Sequence, residues 1–365
     1  MTAVGHRQRL GSVARTAVRR LSGTRIGWLL PIGAGRVAIW QVCVLAVLAT
    51  GFRITPVTVT VMAVAVLLVA ATSVRFGGLC GVEWALVLAR FLPRKGRTAP
   101  APTPVHTLAR TLRVHPHEDR VGNRAGIATI DGTDHIAVVR VAPSAHPAPS
   151  MLVSLLHRAM AREDYPVSGA RLVVWAVPAS PWPVRLHWLA LRYRAADAPW
   201  AALARGGGDE GCRKAVASAA QRLVSDLAGA GCAASVLDAS ELGQELLAAL
   251  GASPDPTGPG GFRAVETWRH WSSGPVHQAC FTPRTPDDAV ALLGRCVPDA
   301  LFTCTAYSMT RTVHEGLRTT STVRLGVPKD RFWCTPERAA SRLGVGLLSS
   351  NGRQAAEVLA TLPLA

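Results

Sequence analysis

Residues 37–74 read VAIWQVCVLAVLATGFRITPVTVTVMAVAVLLVAATSV, and Arg53 is the only charge in them. The stretch divides into two apolar runs around Gly51-Phe52-Arg53, which reads as a tight turn. Val37–Phe52 contains 16 uncharged residues and Ile54–Val74 contains 21. At about 1.5 Å per residue the first run spans only ~24 Å as a helix. The hydrocarbon core of a bilayer is ~30 Å thick. The first span is therefore expected to begin near Ile32, with Arg36 reaching toward the headgroups and Trp40 at the interface. The second run is long enough alone, and Thr55-Pro56 supplies an N-cap followed by proline at the first helical position. The competing reading is a signal peptide followed by a buried helix. Ala49-Thr50-Gly51 is a poor cleavage site, and a second apolar run follows it at once. Residues 32–74 are expected to form a two-helix transmembrane hairpin.

Orientation follows from the arginines. Residues 1–31 form a basic N-terminus that includes Arg25, and Arg36 lies at the start of the first span. Arg75, Arg94, Lys95 and Arg97 follow the second span, against the single acid Glu83. The turn between the spans carries only Arg53. The positive-inside rule then places both termini in the cytoplasm of a plasma-membrane protein.

The formal net charge of +17 suggests nucleic acid until its distribution is considered. Residues 1–97 hold 13 of the 40 basic residues and 1 of the 23 acids. Much of the excess therefore lies beside the bilayer, where each basic residue near an anionic leaflet gains roughly 1 kcal/mol. No aromatic-basic stripe of the kind that stacks bases is present, so no nucleic-acid partner is expected. Only Lys95, Lys214 and Lys329 are lysines; with the heavy use of Ala, Gly, Val and Pro this resembles an actinobacterial coding bias. The 8 cysteines form no C-x-x-C pair and read as small apolar thiols, not as a zinc site.

Residues 75–92 read as a juxtamembrane helix, and residues 93–120, rich in Pro, Thr, Arg and His, as a linker. The remainder, 121–365, mixes strand and helix patterns, which points to a cytoplasmic mixed α/β domain. Asp131-Gly132 between two β-prone runs signals a hairpin. Arg171–Val177, Val184–Tyr193, Phe262–Trp271 and Val276–Phe281 read as strands. A long helix is expected to follow the glycine loop, and another to open at Ser240.

Certain strings carry a resemblance. Trp188-Leu-Ala-Leu-Arg192 is followed by Arg205-Gly-Gly-Gly-Asp-Glu-Gly211 and a helix of the form Ala-x-x-Arg-Leu. Thr267-Trp-Arg-His-Trp271 and Val276-His-Gln-Ala-Cys-Phe281 come later. Together with the order of parts, these segments resemble EccE, a membrane component of the type VII (ESX) secretion system of actinobacteria. The resemblance implies a structural subunit at the periphery of an inner-membrane complex with EccB, EccC and EccD. It also implies a glycosyltransferase-like fold without the working site.

The candidate sites each have a second, plainer reading. Gly206, Gly207 and Gly208 feed a helix start and could offer N–H groups to an anion. However, the P-loop spacing is missing, and Asp209 and Glu210 would repel an anion and complement the helix dipole. Asp131 and Asp134 suit a turn as well as a metal. Asp287-Asp288 after Thr285-Pro286 reads as a helix start, with Thr285 or Asp287 as its cap. His115-Pro-His117-Glu118-Asp119 could chelate, but a solvated loop explains it. Trp268, His270, Trp271 and His277 could line a cleft, or alternate across a sheet covered on both faces. No G-x-S-x-G elbow or strand-end Asp-x-Asp is present. The expectation is a non-enzyme without catalytic residue, cofactor or metal. The alternatives are a membrane-anchored glycosyltransferase-like enzyme and a ligand-binding sensor.

Overall fold

In the computed structural model, the residues described are 34–51, 55–73, 75–76, 79–95, 101–143, 147–162, 167–252, 262–312, 316–330 and 335–364. The basic N-terminus with Arg25, the turn residue Arg53, Arg97 and the proline-rich segment 253–261 lie outside them. The chain divides into residues 1–84 and 85–365.

In the first unit, α1 (Ala34–Ala49) and α2 (Pro56–Ser73) pack on each other, and the Trp40 indole N–H donates to Thr72 Oγ1 at 2.9 Å. Cys43, Thr58, Ala65 and Thr72 are buried. Such small side chains let two helices approach closely. The Thr55 cap holds, since its Oγ1 accepts from the Thr58 N–H at 3.2 Å. Of the two helices, α2 is the one long and apolar enough to cross a membrane, with only 11% of it buried. Helix α1 is 16 residues long, and the expected extension to Ile32 lies outside the described residues. The single helix expected over 75–92 is instead a small antiparallel pair, β1 (Arg75–Phe76) and β2 (Leu79–Cys80), followed by α3 (Gly81–Phe91). Gly81 lies so close to Ala71 that an added Cβ would sit 2.8 Å from its carbonyl oxygen. The pair thus folds the chain back to the last turn of α2.

Residues 85–365 build a sheet in which every described pairing is antiparallel. Its strands are β3 (Arg113–Glu118), β4 (Arg124–Ile130), β5 (Asp134–Val141), β6 (Gly169–Val177), β7 (Val184–Arg194), β8 (Ala234–Val236), β9 (Ala264–Glu266), β10 (Trp271–Ser273), β11 (Val276–Pro283), β12 (Phe302–Thr312), β13 (Gly316–Pro328) and β14 (Leu347–Ser349). The order across the sheet is β3-β4-β5-β7-β6-β12-β13-β11-β10-β9, with β8 beside β5 and β14 beside β11. The mixed α/β expectation is met, in antiparallel form.

Both faces are covered, which is why the central strands read as nearly unbroken apolar runs. Leu189 and Leu191 of β7 face a core shared with α4 (Pro149–Ala161) and α6 (Gly208–Gly229). Trp188 and Ala190 face the opposite core, shared with α7 (Ala239–Leu250) and the C-terminal helix α10 (Gln354–Ala360). The short helices α5 (Pro199–Leu203), α8 (Pro286–Leu292) and α9 (Pro336–Ser341) complete the set.

Three expectations need correction. The segment read as a linker contains β3, and Val105, Ala109 and Leu112 are buried. Proline and histidine hid this strand. Pro116 is tolerated because β3 is the last strand at its edge of the sheet, where a missing N–H leaves no ladder bond unmade. Secondly, Phe262–Trp271 is not one strand. The chain turns at Thr267–His270, where the Thr267 N–H donates to the His270 carbonyl at 2.8 Å. Thr267 Oγ1 also accepts from the His270 N–H at 3.0 Å. The alternation predicted for Trp268 to Trp271 therefore does not exist. Thirdly, α7 begins at Ala239 and not at Ser240, and its cap is Asp238. The Asp238 side chain accepts from the Ser240 and Glu241 N–H groups, and Glu241 reaches back in a capping box. By contrast, the Asp131-Gly132 hairpin and the Thr285 cap stand where the residues placed them.

Candidate functional site

The glycine loop joins α5 to α6. Gly206, Gly207 and Gly208 all have positive φ, at 102°, 69° and 60°. Side chains other than glycine pay for that conformation. Three successive amides of this loop point inward. The Arg205 and Gly207 N–H groups donate to the Ala202 carbonyl, both at 2.9 Å, and the Gly206 N–H donates to the Leu203 carbonyl at 3.1 Å. These donors close the end of α5, as a helix terminus requires. Tyr193 holds α5 from the sheet. Its hydroxyl donates to the Ala198 carbonyl at 2.7 Å and accepts from the Ala202 N–H at 3.2 Å.

The fold brings this loop beside the His117–Asn123 segment, and the two border one open groove. Sequence reasoning singled out both but had no means of joining them, because β3 was not recognised as a strand. Asp119, Glu210 and Arg205 of the groove are each engaged by neighbouring groups. Asp119 Oδ1 accepts from the Val121 and Asn123 N–H groups at 2.8 and 2.9 Å, and its Oδ2 accepts from the Asn123 amide at 2.7 Å. These bonds, the Asn123 side chain first, hold the Asp119 carboxyl below its ordinary value. Glu210 is likewise held low by Arg213, at 3.0 Å, and by Lys214, at 3.4 Å. Arg205 donates to the Ala201 carbonyl at 2.9 Å. His135 is buried, with its Nε2 4.0 Å from Asp209 Oδ1, and burial lowers its pKa.

The other sequence candidates are dispersed. Asp134 receives the Arg194 guanidinium in a two-pronged contact at 2.7 and 2.9 Å, while Asp131 accepts from Thr111 at 2.8 Å. The Asp288 N–H caps onto Thr285. His115 lies 3.3 Å from Thr129 Oγ1. Among the described residues no group of three His, Cys, Asp or Glu side chains converges as a metal site. Seven cysteines are free thiols there; burial raises those of Cys280 and Cys304, which makes them poor nucleophiles. Of the basic residues flanking the spans, Arg94 and Lys95 are exposed just after α3, and the backbones of Arg36 and Arg75 lie in α1 and β1.

The aromatic cluster does real positioning. Trp271 is buried, and Trp268 meets Phe91 edge to face at 5.2 Å. Trp188 is buried and donates its indole N–H to Glu245 Oε2 at 3.0 Å. Arg140 donates to Glu245 Oε1 at 2.6 Å. Glu245 therefore ties α7 to two neighbouring strands. The His270 and His277 rings meet at 4.2 Å, with Lys329 and Glu337 the charged groups acting on them. Burial, then His270 and Lys329, lowers His277 to about 4. A histidine depressed in the folded state stabilises fully above its ordinary value of 6.5, and that contribution is lost as pH falls toward 4. The unfolding midpoint is expected to decline across this window, and His277→Gln should flatten the decline. An unchanged pH profile in the variant would remove His277 as its source.

Residues 183–282 match the family model described as "Putative type VII ESX secretion system translocon, EccE". No curated protein matches the chain. The matched segment runs from β7 to β11. It takes in Trp188, the glycine loop, α6, α7 and the Thr267–His270 turn, and it coincides with the strings that carried the resemblance.

Proposed function

We propose, with the EccE match over residues 183–282 as premise, that this chain is a structural subunit of a type VII secretion membrane complex. Helices α1 and α2 anchor it in the plasma membrane as a two-span hairpin, with both termini cytoplasmic. It contributes to assembly or stability of the machine alongside EccB-, EccC- and EccD-family components. The family match carries this reading. The apolar, largely exposed α2 supports the membrane assignment, and the arginines on both flanks support its orientation. The non-catalytic reading is supported by Asp119, Glu210 and Arg205 of the groove, which serve a turn, a helix start and a helix end. A glycosyltransferase-like enzyme would require sugar-nucleotide binding by the folded chain.

The test is a tagged full-length chain extracted in mild detergent. It should co-purify with EccB-, EccC- and EccD-family proteins, and deleting its gene should abolish or strongly weaken export. Recovery as a lone monomer, together with intact export in the deletion strain, would overturn the proposal.

A further inference from the structure

Helix α3 has two apolar faces, and among the described residues only one of them is packed against the sheet domain. Phe91 is buried against Trp268, and Val87 points at Gly352, where an added Cβ would lie 2.7 Å from it. At 100° per residue these two residues share one side of the helix. The opposite side holds Ala85, Leu86, Leu88 and Ala89, with Leu92 just beyond, and no charged residue falls within that arc of about 160°. Leu86, Leu88 and Leu92 are 52%, 45% and 58% exposed. Arg90 and Lys95 border this face at its C-terminal end, and both are exposed. Arg94 belongs to the packed side: its Nε donates to the Arg90 carbonyl at 2.8 Å and its Nη2 to the Gly352 carbonyl at 3.5 Å.

The geometry points to α3 as an interfacial helix that lays its leucine face into the anionic leaflet from which α2 emerges. The inference rests on the membrane reading of α2 and deepens it. Two observations choose lipid over protein. The first is position, since Gly81 packs on Ala71 and α3 therefore starts at the level of the last turn of α2. The second is charge: an apolar arc flanked by Arg90 on one side and Lys95 on the other suits acyl chains below anionic headgroups.

The test places a benzophenone-bearing residue singly at Leu86, Leu88 and Leu92 of the full chain. Each variant is reconstituted in vesicles of equal phosphatidylcholine and phosphatidylglycerol, irradiated and weighed. Val66 in α2 and exposed Arg110 serve as reference positions. All three leucine positions should gain lipid adducts at a yield near that of Val66 and several-fold above that of Arg110. Replacing Arg90 and Lys95 together by glutamine should lower the yield at Leu88 several-fold. Lipid adducts at Val66 but not at the leucines would overturn the inference and leave the span reading intact. Protein–protein adducts at the leucines would do the same. No lipid adduct even at Val66 would take down the span reading and this inference with it.

Discussion

Replacing Arg324 with alanine should lower the unfolding free energy by about 3 kcal/mol, the sum of orphaned acceptors less the relief of a buried charge. Arg324 lies mid-strand in β13 and is fully buried. Among the described residues no carboxylate is a hydrogen-bond partner of it. Its Nη1 donates to Gln278 Oε1 at 2.7 Å, and its Nη2 donates to the Ala249 carbonyl. Gln278 in turn donates to the Leu250 carbonyl at 2.8 Å. Ala249 and Leu250 end α7, so the guanidinium closes that helix from the sheet and sits at the negative end of its dipole. The Phe302 ring lies 5.2 Å away and adds a cation–π contact. Removing the side chain strands these acceptors in a dry core. Arg324→Lys should recover less than half of the loss, because an ammonium cannot fork between the two acceptors. Denaturant titration of the full chain in detergent, followed by tryptophan fluorescence, checks this. A loss under about 1 kcal/mol would mean that water replaces the guanidinium. Pairing Arg324→Ala with Gln278→Leu should be clearly non-additive, since the two side chains bond each other and both reach the Leu250 carbonyl.

Nothing in the sequence announced that arginine. It stands in a strand of alternating pattern, where an outward-facing charge is the ordinary reading. The legible features were local ones. The Asp131-Gly132 turn, the Thr55 and Thr285 caps and the long helix after the glycine loop depend on a few neighbouring residues, so short-range patterns reveal them. The illegible features depend on distant partners. Pro116 hid β3 because proline argues against a strand unless its place at the sheet edge is known. Trp268 to Trp271 alternate like a strand, yet Thr267 closes a turn there by binding the His270 N–H. The groove beside Gly206 needs β3 and α6 together, and these are far apart in the chain. The EccE-like strings were legible for a related reason. Trp188 anchors Glu245 and Tyr193 anchors α5, so packing constrains those residue types directly.

The glycine loop offers the second large effect, and it separates two uses of glycine within six residues. Gly211→Val should cost about 3 kcal/mol or more, the upper range for overpacking a tight contact. An added Cβ at Gly211 would lie 2.4 Å from the Ala202 carbonyl oxygen and 3.1 Å from its carbon. Those atoms are backbone and cannot turn aside, so α5 and α6 would have to separate. Separation would also free Ala202 from the Tyr193 hydroxyl. Gly206→Ala meets nothing within 4 Å and should lose only the cost of its positive φ, about 1 kcal/mol. Unfolding midpoints of the two full-length variants give the comparison. Co-purification with the secretion components adds a second reading, since the loop lies inside the EccE-matched segment. Gly206→Ala should leave partner capture unchanged, whereas Gly211→Val should reduce it in proportion to lost stability. If Gly206→Ala instead abolished capture while the midpoint barely moved, the loop would be contacting something other than α5. The glycines would then be serving recognition, and the groove beside them would become the place to look for the partner.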